Sequence, residues 1–209
     1  ILALMISIPF GVLSAKRPYS KLDYGITFTS FIGLAIPNFW FGLILIMILS
    51  VNLGWFPTGG VETLNADFNI FDRIHHLILP AFVLATADMA GLTRYTRSNM
   101  LDVLNQDYIR TARAKGFKEN RVLFKHGLRN ALLPVITIFG LMIPSFIGGS
   151  VVVEQIFTWP GLGKLFVDSA FQRDYPVIMA MTVISAVLVV IGNLVADILY
   201  AVVDPRIEY

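Results

Sequence analysis

Five long apolar runs constrain this chain more than any other feature of it: residues 1–15, 26–53, 77–94, 131–153 and 177–203. The second carries no charge at all, and the last is broken only by Asp197. A full bilayer crossing takes about 20 apolar residues, so the first run is too short alone and reads as the remainder of a helix that starts before Ile1. In hydrocarbon every backbone N–H and C=O needs a partner, and a helix supplies them from within itself. Transmembrane strands would be about half this length and would alternate in polarity. Buried helices of a soluble protein would still show a charged face somewhere. Charged residues make up only 14% of the chain, against roughly 25% in soluble domains. The expected fold is therefore all-α and polytopic in a membrane, a single domain over residues 1–209 with five transmembrane helices, the first truncated.

The loops set the expected orientation. One short loop holds Lys16, Arg17 and Lys21, and the long link after the third run holds nine basic residues from Arg94 to Arg129; Arg206 follows in the tail. The other two loops carry Arg73, Lys164 and Arg173 against Glu62, Asp67, Asp72, Glu154, Asp168 and Asp174. Lys and Arg concentrate on the cytoplasmic side. This predicts a multi-pass protein of the cytoplasmic (inner) membrane with its C-terminus in the cytoplasm. Trp55 and Trp159 then flank spans on the outer side, where amphipathic rings favour the interface.

Several chemistries lose their footing in this sequence. With no cysteine there is no thiol catalysis, disulfide framework or thiolate metal site. His75 and His76 read as a helix-start region, His126 falls on the opposite side, and no metal site is expected. Gly161-Leu162-Gly163-Lys164-Leu165 lacks both the leading glycine and the Ser/Thr of a phosphate loop. The chain is thus expected to be no enzyme, to have no catalytic residues and to bind no cofactor, with any ATP used by partner subunits.

The basic link, about residues 98–130, is structured in composition. Asn105 or Asp107 is placed to cap a helix over 108–115, with Arg113 and Lys115 near its negative end. Gly116 supplies a stop. A second helix is predicted over 118–129 with Val122, Leu123 and Leu128 as apolar contacts. Such a basic amphipathic unit also suits an anionic lipid surface. A nucleic-acid partner is not expected in a membrane loop.

The residues of this link narrow the choice. Gln106-Asp107-Tyr108-Ile109-Arg110-Thr111-Ala112-Arg113-Ala114-Lys115-Gly116, then His126-Gly127-Leu128-Arg129-Asn130-Ala131-Leu132-Leu133-Pro134, resemble the coupling segment of ABC importer permeases of the dipeptide/oligopeptide/nickel family. Ile36-Pro37-Asn38-Phe39-Trp40, Val153-Glu154-Gln155-Ile156-Phe157-Thr158-Trp159-Pro160-Gly161-Leu162-Gly163 and Asp204-Pro205-Arg206-Ile207-Glu208-Tyr209 extend the resemblance over nearly the whole chain. Against the general importer motif, Arg110 stands at the Glu position and Arg129 at the final Pro position, while Ala112, Gly116 and Leu128 match.

The resemblance implies a type I ABC importer transmembrane domain, with one more helix expected upstream. It implies a permease subunit of an ATP-driven importer of peptides or similar small solutes. Its ATPase-coupling segment would be Arg110, Thr111, Ala112, Arg113, Ala114, Lys115, Gly116 and Phe117. The implied partners are a homologous permease (a heterodimer), two ABC ATPase subunits and an extracytoplasmic solute-binding protein. Glu154, Trp159, Pro160 and Gly161 would face that binding protein, or else anchor the loop at the interface. Alternative functions are an ion-coupled transporter or channel, and a non-transporting membrane scaffold or sensor.

Polar and small residues within the spans suggest where a path or gate would lie. Asp88, about midway along the third run, costs ~2.5–3.5 kcal/mol at bilayer centre and must face protein or water, as a solute contact or a structural partner. Gly140, Pro144 and Gly148 recur every fourth residue, a stripe that permits close helix packing or lines a pathway. Asn193 and Asp197 share one helix face and suit a structural tie. Pro37 predicts a kink.

Overall fold

The computed structural model describes residues 1–147 and 150–203. Among these there are helices and connecting turns and no strand. Helices α1 (Leu2–Lys16) and α2 (Lys21–Ala35) are followed by α3 (Asn38–Leu45), which runs on as a π-helical stretch, Ile46–Asn52. The long α4 (Ile70–Leu104) leads to the short α5 (Asp107–Ala114). Helix α6 (Glu119–Arg121) continues through a second π-helical stretch, Val122–Leu128, into α7 (Arg129–Ile147). Helices α8 (Val151–Ile156), α9 (Leu162–Gln172) and α10 (Tyr175–Val203) complete the described chain.

Among the described residues three helices are long and apolar enough to cross a membrane: Ile70–Leu104, Glu119–Gly140 and Tyr175–Val195. A fourth is reached if Lys21–Ala35 and Asn38–Asn52 count as one interrupted span. Leu2–Lys16 is apolar but shorter. Against the five spans expected, the described residues hold three, or four if the bent pair is one span. The interruption falls at Ile36–Pro37, where proline has no N–H to donate and disfavours helical backbone in the residue before it.

Local chemistry sets the helix ends. Asp174 Oδ1 accepts from Val177 N at 3.3 Å ahead of α10, whose second residue is Pro176. The Ser150 hydroxyl accepts from Val153 N and caps α8. Arg173 takes the left-handed backbone (φ 57°) that ends α9. Within the helices Ser30, Thr86, Thr93 and Thr182 return their hydroxyls to carbonyls four residues earlier, which satisfies them without water.

The chain divides into two compact units. The first comprises residues 1–35, 88–142 and those from 194 onward. Its core is Val12, Ala15, Met100, Leu123 and Ala131, drawn from α1, α4, the second π-helical stretch and α7. Gly11 lets α1 approach α4 closely, because a Cβ there would come within 2.5 Å of Thr96 Cβ. The second unit comprises residues 36–87 and 143–193. Its core gathers Leu79, Val83, Val153 and Phe157, with Phe41, Leu45 and Ile156 packed around them.

Candidate functional site

The coupling segment is built in the first unit. Helix α5 turns Ile109 and Ala112 inward onto Val122, with Val103 and Leu104 alongside. Ile109 and Val122 are fully buried. Two apolar side chains on a two-turn helix, packed on Val122, thus fix which face looks out. Arg110, Thr111, Arg113, Ala114 and Lys115 are exposed, as are Gly116 and Phe117 beyond the helix. The helix begins one residue earlier than expected, and its N-cap is Gln106 with no side-chain cap, in place of Asn105 or Asp107. Asp107 instead lies in the first turn, where its charge suits the helix dipole.

The stop is a Schellman turn. Gly116 N donates to Arg113 O at 2.9 Å and Phe117 N to Ala112 O at 3.4 Å. Gly116 has φ +77°, backbone that side-chain-bearing residues adopt at a cost. Nothing lies within 4 Å of a Cβ built there, so the requirement for glycine is conformational and not one of space. Across the turn Arg113 forks onto Glu119, Nη2 to Oε1 at 2.8 Å and Nε to Oε2 at 3.2 Å. That hydrogen-bonded carboxylate raises the Arg113 guanidinium pKa above its ordinary value. Phe117 lies stacked on His126, with the Arg121 guanidinium 4.9 Å from its ring centre. The predicted separate helix over 118–129 is no separate element: α6 and the π-helical stretch run without a break into α7, since nothing between Arg121 and Leu132 interrupts helical backbone.

Sequence reading missed the anchor behind this segment. Asp23, in the first turn of α2, is buried and receives Arg97 of α4 through two bonds, Nε to Oδ1 and Nη2 to Oδ2, both 2.7 Å. The Ser14 hydroxyl and Tyr19 N also donate to this carboxylate. Arg97 entered the sequence argument only as a positive charge. The one available signal was a lone acidic residue in an otherwise basic loop.

A second organised region lies in the other unit, on residues 150–175. Glu154 is buried, and its Oε2 accepts from Lys164 N at 2.7 Å in the first turn of α9. Its carboxylate occupies the space that a Cβ on Gly161 would need, and lies 3.1 Å from the corresponding point on Gly163. The two glycines therefore let an acidic side chain reach a helix N-terminus, where negative charge is favoured. Phe157 anchors the loop from below, and its carbonyl accepts from Gly60 N at 2.8 Å. Of the residues expected to face a partner here, Glu154 points inward, Trp159 is half-buried beside Val61, Ile74 and Leu77, and Pro160 is exposed.

Asp88 is half-buried in α4 and makes no hydrogen bond or salt bridge among the described residues. Gly140 is buried on α7; Pro144 lies on the same helix, and Gly148 and residues 204–209 fall outside the described residues. His75 and His76 are each held by a backbone carbonyl, Trp55 O at 2.7 Å and Asp72 O at 2.9 Å.

Comparison with known proteins decides the family. The description "binding-protein-dependent transport system inner membrane component" matches residues 7–209. The chain belongs to that family. It is 97% identical over its whole length to the oligopeptide transport system permease protein AppB of Bacillus subtilis strain 168, covering 66% of that protein. It is 45% identical over 217 residues to the di/tripeptide transport system permease protein DppB of Pseudomonas aeruginosa strain UCBPP-PA14, and 40% identical over 230 residues to the dipeptide transport system permease protein DppB of Escherichia coli K12. These alignments take in 95% and 100% of the chain, and 65% and 68% of those relatives. The chain thus spans about two thirds of the length of the permeases it resembles.

Proposed function

We propose that this chain is a transmembrane subunit of an ATP-driven importer that passes peptides through the cytoplasmic membrane, with its C-terminus in the cytoplasm. The observation that carries the reading is the construction of α5. It is a short helix whose apolar face is pinned to the membrane unit and whose Arg110, Thr111, Arg113, Ala114 and Lys115 are exposed, Arg113 held by Glu119 and Arg110 by Asp107. A rigidly based helix with an exposed polar face beside a membrane suits docking into a groove of another protein. The phosphate-loop motif is lacking here, so ATP hydrolysis falls to two separate ATPase subunits. The printed names of the relatives, oligopeptide and dipeptide permeases, support a peptide solute. A homologous second permease and an extracytoplasmic binding protein complete the assembly. Asp88, Gly140, Pro144 and Gly148 are assigned to the path or its gate, and Trp159 and Pro160 to the outer face that meets the binding protein.

The test is a cross-link. A single cysteine replaces Ala114 in the full-length permease, co-expressed with its ATPase and permease partners. The expected product is an adduct with the ATPase whose yield changes with ATP. An accessible Cys at 114 that captures no ATPase would refute the coupling role.

A further inference from the structure

A cavity of about 600 Å³ opens in the first unit between α2 and α4. Its lining includes Thr27, Phe31, Arg94, Tyr95, Arg97 and Ser98. That volume falls within the roughly 300–1,000 Å³ of small-ligand sites. The two arginines differ in what they have left to offer. Arg97 has spent its fork on Asp23. Arg94 is exposed, and its guanidinium lies 5.2 Å from the Phe31 ring centre with no carboxylate partner among the described residues. All five of its N–H donors are therefore available, in the planar geometry that takes a carboxylate two-pronged.

We propose that Arg94 binds the C-terminal carboxylate of the transported peptide, with Tyr95 and Ser98 offering hydroxyls around it, Thr27, whose hydroxyl donates to Asp23, beside them, and Phe31 an apolar wall. The inference rests on the peptide-importer reading above. Three hydroxyls and an open guanidinium make a wall that hydrocarbon solvates poorly. Ionisable residues on spanning helices characteristically face water-filled paths. The cavity lies on α4 between Asp88, assigned above to the path, and the coupling segment. A lipid phosphate is the other anion an arginine at this position would take.

The full-length transporter, with its partner permease, ATPases and binding protein, is reconstituted in vesicles of zwitterionic lipid alone or with anionic lipid added. Uptake of a tripeptide with a free C-terminus is compared with uptake of its C-terminal amide, each rate divided by the separately measured occupancy of the binding protein. Wild type is expected to favour the free carboxylate by about tenfold or more, the worth of a charge-assisted hydrogen bond. Arg94→Gln should bring the ratio close to one in both lipids, and Arg94→Lys should keep part of the preference. Binding-protein-stimulated ATP hydrolysis reports that the variants assemble. If Arg94→Gln does not assemble, Arg94→Lys carries the test, and a ratio equal to wild type overturns the proposal. So does an unchanged ratio in Arg94→Gln, or equal uptake of both peptides by wild type. A defect confined to anionic vesicles overturns it in favour of a lipid phosphate. Wild-type vesicles that hydrolyse ATP but import neither peptide refute the peptide-importer reading itself.

Discussion

Breaking the Asp23–Arg97 pair is the sharpest test of what holds α2 on α4. Asp23→Asn keeps the shape of the side chain and removes its charge. The side chain of Asp23 is 3% exposed and that of Arg97 is 25% exposed, so the arginine left behind is only partly able to find water. Removing one member of a fully buried pair costs ~3–5 kcal/mol. Interhelical hydrogen bonds measured inside membranes average only about 0.6 kcal/mol, because the unfolded chain also finds partners there. The two 2.7 Å bonds are charge-assisted, and Asp23 also serves Ser14 and Tyr19 N. A cost of about 2–3 kcal/mol follows, below the fully buried figure because Arg97 reaches solvent. The assay is reversible unfolding of the full-length permease in mixed detergent micelles, run as a double-mutant cycle with Arg97→Gln. A coupling energy above about 1 kcal/mol is expected. Additive single effects, or an Asp23→Asn cost below about 0.5 kcal/mol, would show that the pair is a bystander and that apolar packing alone positions α2 on α4.

Three further outcomes follow from the geometry. Gly116→Val forces a β-branched residue into backbone at φ +77°, costing about 1–2 kcal/mol or more locally, so transport should fall sharply while membrane insertion, followed by fractionation, stays normal. Gly161→Ala drives a methyl into the Glu154 carboxylate, and a loss of about 1–3 kcal/mol should appear as faster proteolysis within residues 154–175 in intact membranes. Phe157→Ala empties the core of the second unit and should lower its stability by about 3–5 kcal/mol in thermal unfolding, with a smaller effect from Phe157→Leu.

The spans were readable because lipid demands apolar side chains and helical backbone together, a coincidence few other folds require. The break at Pro37 and the turn at Gly116 were readable for the same kind of reason, since proline and glycine each act through their own backbone. The ends of α4 were not. The apolar run suggested residues 77–94, whereas the helix covers Ile70–Leu104. Its extensions lie where water satisfies polar side chains, and their partners lie outside the helix, Thr63 for Asp72 and, 74 residues away, Asp23 for Arg97. Glu154 shows the same limit at shorter range. Its motif was plain, but its burial depends on two glycines seven and nine residues later that admit its carboxylate to the start of α9. Periodicity reports what a single element needs from its solvent, and it is silent on pairings between elements.

The uninterrupted run of helix from Glu119 to Gly140 has a mechanical meaning. At the α-helical rise of 1.5 Å per residue its 22 residues would span about 33 Å, and the seven π-helical residues within it shorten that. The foot of that helix is clasped to α5 by Arg113–Glu119 and by the buried Ile109–Val122 contact. A push on α5 is therefore not absorbed in a slack joint. It arrives as torque on a continuous helix, so a small displacement of α5 is delivered as a tilt of the apolar segment beyond it.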